Sequence, residues 1–579
     1  MSFKNNKKRL SQRYKDTKVL FDISVFFVHL RLCVNYFLLI VFLFCIQPLF
    51  TLSFNDSGSP AELAARLESA MTDEQALAQV YMLGWVGEEP SPLIMDWIRQ
   101  RNIGGVKIFG WNTSDTQLLA KTVGTLQAAS ISGPFNIPLF IATDQEGGWI
   151  RHIKGATSDT PGNMAIGASG YPRDAYLSGY YIGRELALLG VNMNFAPAVD
   201  LFTNRDSTLI GTRAFGNDPV KTGILGIAFV KGQLAAGVIP TAKHFPGHGD
   251  TSLDSHGVLP RINITYDTLW NRELVPYRML AAEGLPAVMS GHLSFPLTDG
   301  GSTPASLSSW FLRDVLRDRI GFKGLVITDD LMMGGAINPT GSLARTAKQA
   351  IAAGNDIIMF SITPSLIDPV WTFLINSMKT EEDFKAQVRA AARKVLELKI
   401  IYLRGNSKVP YIPDLKKVES ELTDPQGSAF FLNLAARSVT IVKPNPPGSV
   451  FPLNSENAGR VLLAGNFGDF FRYGRAAFPD AAVFRYSNAT NPAVFEPYAR
   501  NADTIIFCLS DNFGLNLLRI IQQLNKNVIV LSVLSPVHIE NAPWITGAVA
   551  VYSYAQESFA AGFSVITGRI PAQGILPYE

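Results

Sequence analysis

The sequence predicts an α/β protein, an N-terminal (β/α)8 barrel of the TIM type followed by a second, smaller α/β domain. Short runs that are apolar on both faces alternate with helical patterns about eight times before residue 403, which reads as parallel strands covered by helices. Ionisable residues follow directly on four of those runs, and side chains leaving several parallel strands at one end converge on one mouth. The 579 residues exceed one ordinary domain and suggest a large first domain with a smaller second.

Residues 1–55 stand apart. Lys4, Lys7, Lys8, Arg9, Arg13, Lys15 and Lys18 precede an apolar run from Cys33 to Leu52, and Asn55-Asp56-Ser57-Gly58 follows it. Basic flank, apolar run and polar exit are the order of an export signal. The protein is therefore expected in the periplasm or cell envelope, its N-terminal segment meeting the membrane in transit or as a retained anchor. No A-x-A-like site follows and Gln47-Pro48 interrupts the run, so cleavage and retention both stay open. With Cys33 and Cys45 in this segment, Cys508 is alone in the body; removal of the segment would exclude an intramolecular disulfide. Much of the net charge of +3 is local to the N-terminus, and nucleic acid is not an expected partner.

The first domain is read as residues 60–403. Its strand candidates are Val80–Leu83, Gly105–Phe109, Pro138–Thr143, Val191–Ala196, Ile239–Lys243, Ala287–Ser290, Gly324–Thr328 and Asp356–Phe360. Helical stretches such as Ala344–Ala353 separate them, and a helix from about Asp383 to Leu403 closes the series. Asp144-Gln145-Glu146, Lys243-His244, Ser290-Gly291-His292 and Asp329-Asp330 all stand at strand C-termini, which favours the barrel over a doubly wound open sheet. Residues 404–430 read as a linker with some helix in it. Residues 431–579 repeat an α/β pattern with strands at Ser438–Val442, Arg460–Ala464, Thr504–Leu509, Val528–Leu534 and Ala548–Tyr552. Asn466, Asp511 and Asn512 read as turn residues there, and this domain is expected to pack on the barrel or shape its cleft.

The densest chemistry lies in Lys243-His244-Phe245-Pro246-Gly247-His248-Gly249-Asp250 with Asp254-Ser255-His256 just after, which together hold three of the chain's 7 histidines. Pro246, Gly247 and Gly249 rule out a continuous helix, and a core gains nothing from concentrating ionisable groups. The segment therefore reads as a site.

Asp144-Gln145-Glu146-Gly147-Gly148, Asn194-Phe195-Ala196-Pro197, Ile210-Gly211-Thr212-Arg213, Lys243 to Thr251, Asp254-Ser255-His256 and Thr328-Asp329-Asp330-Leu331 occur in that order. In these motifs the chain resembles glycoside hydrolase family 3, in its β-N-acetylhexosaminidase branch, over about residues 70–400; the remainder looks like the family's C-terminal α/β sandwich domain. The resemblance implies a retaining exo-β-N-acetylglucosaminidase without a cofactor. It makes Asp329 the nucleophile and His256, beside Asp254, the acid/base. It assigns Asp144, Arg213, Lys243 and His244 to the hydroxyls of the first sugar. A nearby carboxylate favours imidazolium, so the pairing of Asp254 with His256 suits proton donation. Gly247, Gly249 and Gly257 suggest that this loop can move. Asp330 is expected to cap a helix starting near Leu331.

One departure stands out. The family usually follows Glu-Gly-Gly with Arg-Val-x-Arg, whereas this chain has Trp149-Ile150-Arg151-His152. Arg151 is a candidate substrate ligand one position early, and His152 holds the second arginine's slot. The implied substrates are N-acetylglucosamine-containing glycans, either peptidoglycan and muropeptide fragments or chito-oligosaccharides. Three alternatives are kept: a metal-dependent hydrolase using His244, His248, Asp250, Asp254 and His256, a β-glucosidase-type member of the same family, and a carbohydrate-binding module without turnover. No metal is assigned, because the helix that would align His244 with His248 is denied by Pro246 and the glycines.

Overall fold

In the barrel, eight short strands pair in parallel and in chain order: β1 (Tyr81–Leu83), β2 (Gly105–Ile108), β3 (Phe140–Thr143), β4 (Met193–Asn194), β5 (Ile239–Phe245), β6 (Ala287–Ser290), β7 (Leu325–Asp330) and β8 (Ile357–Phe360). The ring closes between β8 and β1, with Tyr81 opposite Ile358 and Leu83 opposite Phe360. The computed structural model describes residues 52–578 apart from 363, 364, 366, 406, 407 and 444–451, together with the single positions 13, 15, 18 and 31. The expected export segment thus lies almost wholly outside the described residues, among which no helix is long and apolar enough to cross a membrane.

Every residue of β1 to β6 and of β8 is buried. One face of each strand fills the barrel and the other meets the helices, which is why these segments are apolar without alternation. Only β7 breaks the pattern, since its last two residues, Asp329 and Asp330, emerge at the mouth. The helix Glu382–Leu403 seals the series. Its Arg389 and Arg393 each reach the buried Glu68 at 2.6 Å on the helix Pro60–Ala70.

Within 404–430 the chain forms the helix Leu415–Glu421, and the next helix, Pro425–Ser438, runs across residues 430 and 431. Asp424 caps it by accepting from the Gln426 backbone N–H at 2.9 Å. The second sheet has six strands: β9 (Thr440–Lys443), β10 (Val461–Gly465), β11 (Ala482–Arg485), β12 (Thr504–Leu509), β13 (Asn527–Ser532) and β14 (Gly547–Ala550). Their spatial order is β9-β14-β13-β12-β10-β11, parallel except for β9. Along β12, Ile505, Phe507 and Leu509 enter one apolar cluster while Ile506 and Cys508 enter another. Helices therefore cover both faces, as the period of two in a strand requires. Cys508 is buried and free.

The second domain is fastened to the first by chemistry spread over both. Met164, Phe202 and Ile210 of the barrel share a core with Tyr552 and Tyr578. Arg437 binds Asp174 at 2.6 Å, and the last residues lace back, the Ile575 N–H donating to the Ala168 carbonyl at 3.0 Å.

Candidate active site

Strand geometry delivers the polar residues to one end of the barrel. Asp144 is the first residue beyond β3, Lys243 and His244 lie in β5, and Asp329 in β7. They do not stand as separate ligands. Lys243 Nζ lies 2.5 Å from Asp144 Oδ1 and 2.6 Å from Glu146 Oε1. Glu146 in turn receives Arg213 in a two-point contact, Nε to Oε2 at 3.0 Å and Nη2 to Oε1 at 2.8 Å. Arg213 Nη2 also lies 3.3 Å from His244 Nε2, whose Nδ1 is 2.7 Å from Asp200 Oδ2. Such fork-to-carboxylate geometry fixes direction as well as charge. The result is a buried relay in which cation and carboxylate alternate as far as Arg213, with the His244–Asp200 pair beyond it.

Electrostatics follow from that relay. Burial pushes the Asp200 carboxyl up, yet the charge and hydrogen bond of His244, with help from His248, hold it at about 2. Burial likewise raises Asp144, but Lys107 and Lys243 hold it well below the usual carboxylate range. Asp329 is half-buried; burial works against its anion, and His244, His292 and the Asp330 N–H, which donates to Oδ1 at 2.8 Å, outweigh it and keep it low. A carboxylate whose anion is favoured and which stays partly exposed at a strand end has the character a nucleophile needs. The neighbouring Asp330 differs, because burial raises it. Its Oδ1 accepts from the Met332 and Ser361 N–H groups. The helix expected at Leu331 begins only at Gly334, after Met333, so Asp330 closes a turn instead of capping that helix.

His256 stands on an exposed loop with its Nδ1 2.6 Å from Asp254 Oδ1, and Asp254 also accepts the His256 backbone N–H at 2.9 Å. The loop is docked on the segment after β7: the N–H groups of Gly334 and Gly335 donate to the carbonyls of His256 and Ser255 at 2.9 and 3.0 Å. A Cβ on Gly334 would come within 2.4 Å of the Gly257 carbonyl oxygen, so backbone would have to move. Gly334→Ala is expected to leave the fold intact and lower kcat by about 100-fold, the order that a 1 Å misplacement costs. Steady-state kinetics beside circular dichroism would check this; unchanged kcat would separate the loop's docking from turnover.

Not every expected ligand reaches the cluster. Arg151 pairs with Asp159 and donates to the Thr157 carbonyl at 3.2 Å. Consecutive residues of a strand face opposite ways, so in the hairpin formed by Gln145–Gly147 and Ile150–Arg151 it is His152 that faces Asp144, its Nδ1 3.8 Å from Oδ2. Lys107 of β2 and Asp200 also belong to the site without a sequence motif to announce them, and His292, expected at the mouth without a role, joins them. Lys107 Nζ lies 2.7 Å from Asp144 Oδ2. His292 is buried between Ser306 Oγ at 2.7 Å and the Asp330 carbonyl at 3.0 Å.

The histidine cluster is divided among separate partners. His248 Nε2 lies 3.3 Å from Ser255 Oγ, Asp250 pairs with Arg272, and no three of His, Cys, Asp or Glu are placed to share a metal ion among the described residues. Burial and the charge of His244 hold His248 at about 4. Between that value and the ordinary 6.5 the unfolded chain binds a proton that the folded one refuses. Stability therefore falls as pH drops through this window, by up to about 1.4 kcal/mol per pH unit for this residue. Urea unfolding at pH 7 and pH 5 should show the loss, and His248→Gln should flatten it.

Comparisons with known proteins bear on the family and the fold. Residues 72–398 match the glycosyl hydrolase family 3 N terminal domain. The chain is 33% identical over 399 residues to beta-hexosaminidase A of Pseudoalteromonas piscicida, spanning 64% of either chain. It is 30% identical over 404 residues to a beta-N-acetylglucosaminidase/beta-glucosidase of Cellulomonas fimi, spanning 68% of each. Among solved structures, a glycoside hydrolase family 3 beta-N-acetylglucosaminidase from Paenibacillus sp. str. FPU-7 superposes with a TM-score of 0.80 at 27% identity, covering 88% of this chain and 99% of the other. A closed parallel barrel with a six-stranded companion sheet, carrying this carboxylate and histidine set at its mouth, belongs to glycosyl hydrolase family 3.

Proposed function

We propose that the protein is a retaining exo-β-N-acetylglucosaminidase that removes terminal β-linked N-acetylglucosamine through a covalent intermediate on Asp329. The observation that carries this reading is the placement of an ionised Asp329 carboxylate at the end of β7, in the field of His244 and His292. Asp329 Oδ attacks the anomeric carbon as the glycosidic oxygen leaves, and His256 gives that oxygen its proton. Water then attacks the glycosyl ester, His256 takes its proton, and the sugar departs with its original configuration. Asp254 holds His256 by Nδ1, so the far nitrogen carries the shuttled proton. Arg213 and Lys243 supply donors to the hydroxyls of the bound sugar and Asp144 an acceptor, with charge-assisted bonds fixing the ring; His244, held by Asp200 at Nδ1 and facing Arg213 at Nε2, reaches a hydroxyl by exchanging the Arg213 contact.

Peptidoglycan and muropeptide fragments are the substrates that an envelope-facing enzyme of this kind would meet, and the basic and apolar order of residues 1–55 supports export. Chito-oligosaccharides are the rival source of the same terminal sugar. The name of the Cellulomonas fimi relative supports a second activity on β-glucosides.

The test is hydrolysis of an aryl β-N-acetylglucosaminide against the matching β-glucoside, with and without a chelator. The expected result is turnover of the N-acetyl substrate at least about tenfold faster, unchanged by chelation. Loss of activity on chelation would return the histidine cluster to a metal-dependent hydrolase, and binding without turnover would make the protein a carbohydrate-binding module.

A further inference from the structure

Lys107 is 1% exposed, inside a strand that is otherwise apolar. Its ammonium has three protons and three acceptors: Asp144 Oδ2 at 2.7 Å, the Ile108 carbonyl at 3.0 Å and His152 Nδ1 at 3.1 Å. The ring of Phe109 lies 4.0 Å away, on a residue that also packs against the His152 ring at 5.6 Å. Burial lowers the lysine and Asp144 works against it; with the Asp144 carboxylate and the Ile108 carbonyl both placed to accept from it, Nζ is read as an ammonium. His152 Nδ1 also lies 3.4 Å from the Ile108 carbonyl, the longer of its two contacts; an ammonium accepts nothing, so in the shorter contact with Lys107 Nδ1 is the acceptor and carries no proton. The ring is then the neutral tautomer with its one N–H on Nε2. Nε2 makes no hydrogen bond among the described residues, and the side chain keeps 28% exposure beside Asp144.

We infer that His152 is a substrate ligand that donates through Nε2–H to a sugar hydroxyl next to Asp144, and that Lys107 is a positioning residue that sets its tautomer. Asp144 then supplies an acceptor and His152 a neutral donor on the same side of the sugar. The charged groups facing His152 are Lys107, Asp144 and Lys243, and burial with Lys107 outweighs Asp144 and holds the ring at about 4. The donor thus stays in one protonation state from about pH 5 upward. The inference deepens the proposed glycosidase reading and rests on it.

Four measurements on the full chain decide it. Imidazole nitrogen shifts of the labelled protein at pH 6, assigned by loss in His152→Phe, should show Nδ1 bare and Nε2 protonated; an Nδ1–H or imidazolium pattern overturns the inference. His152→Phe should raise KM on the aryl β-N-acetylglucosaminide by roughly 5- to 100-fold, the range for one lost buried donor, with kcat changed less. Among deoxy analogues of the glycone, one should lose as much on the parent enzyme as His152→Phe loses on the full sugar, and the two losses should not add. Additive losses, or an unchanged KM, sink the donor role while turnover itself keeps the glycosidase reading alive. Lys107→Met should introduce a new inflection in kcat/KM between about pH 5 and 7 as His152 is released to titrate, and an unchanged profile would remove Lys107 from the role. If Lys107→Met does not fold, Lys107→Arg, which keeps the charge, and the nitrogen spectrum of the parent still decide.

Discussion

Asp329→Ala is expected to lower kcat on an aryl β-N-acetylglucosaminide by about 10⁴-fold or more, the scale on which single members of a covalent machinery fail. Its fold should survive, because the substitution removes a carboxylate whose burial opposes its charge and strands no buried cation: His292 keeps Ser306 and the Asp330 carbonyl, and His244 keeps Asp200. Adding azide tests the chemistry further. A small anion in the vacated space would attack the anomeric carbon in a single displacement, releasing the aryl alcohol and leaving a glycosyl azide of inverted configuration. Rescue with inversion fits a nucleophile on that face of the sugar. Activity within tenfold of the parent would instead end the double-displacement reading. The acid limb of the parent's kcat/KM offers a second check. Asp329 lies below the ordinary carboxylate range, so any limb above about pH 4 belongs to another group.

What the sequence made legible follows from burial. All eight barrel strands lie within a few residues of their expected places because each is buried on both faces and reads as a continuous apolar run. The missed strand, β11, is an edge strand whose apolar run ends at Phe484, the one residue of the four that is fully buried, so it lacks the burial that marked the barrel strands. The same logic divides the site. Asp144, Lys243, His244 and Asp329 were visible because they follow apolar runs at the mouth. Lys107 was hidden inside such a run, where a lone charge in a buried strand was itself the signal. Asp200 sits beyond Ala198-Val199 with no motif around it, and only the fold brings it to His244. Arg151 stands one position early in the motif, and the alternation of the hairpin turns it toward Asp159, a partner that spacing alone does not reveal.

Glu146 stood inside a quoted motif with no role of its own, and the structure makes it the anion on which the site's cations rest. It is 1% exposed and holds both Arg213 and Lys243, which are 8% and 2% exposed. Burial raises its carboxyl, but the two cations outweigh burial and hold it below the ordinary value. Glu146→Gln keeps the volume and turns one oxygen into a donor that must face a cation. Breaking a buried pair by removing one partner costs about 3–5 kcal/mol, and this substitution leaves two cations short at once. Lys243 keeps Asp144, already shared with Lys107, while Arg213 keeps only the Leu209 carbonyl and His244. Urea unfolding at pH 7 should show a loss in that range, and KM should rise at least about tenfold as Arg213 and Lys243 shift. The pH dependence discriminates further. A carboxyl depressed in the fold stabilises above its ordinary value and loses that contribution as pH falls through the folded value. The parent should therefore lose stability below about pH 4.3, the ordinary glutamate value, more steeply than Glu146→Gln, which has no such proton to bind. If the two curves run parallel there and the loss at pH 7 stays under about 1 kcal/mol, Glu146 is not the anchor of the cluster, and Asp144 alone must hold the cations in place.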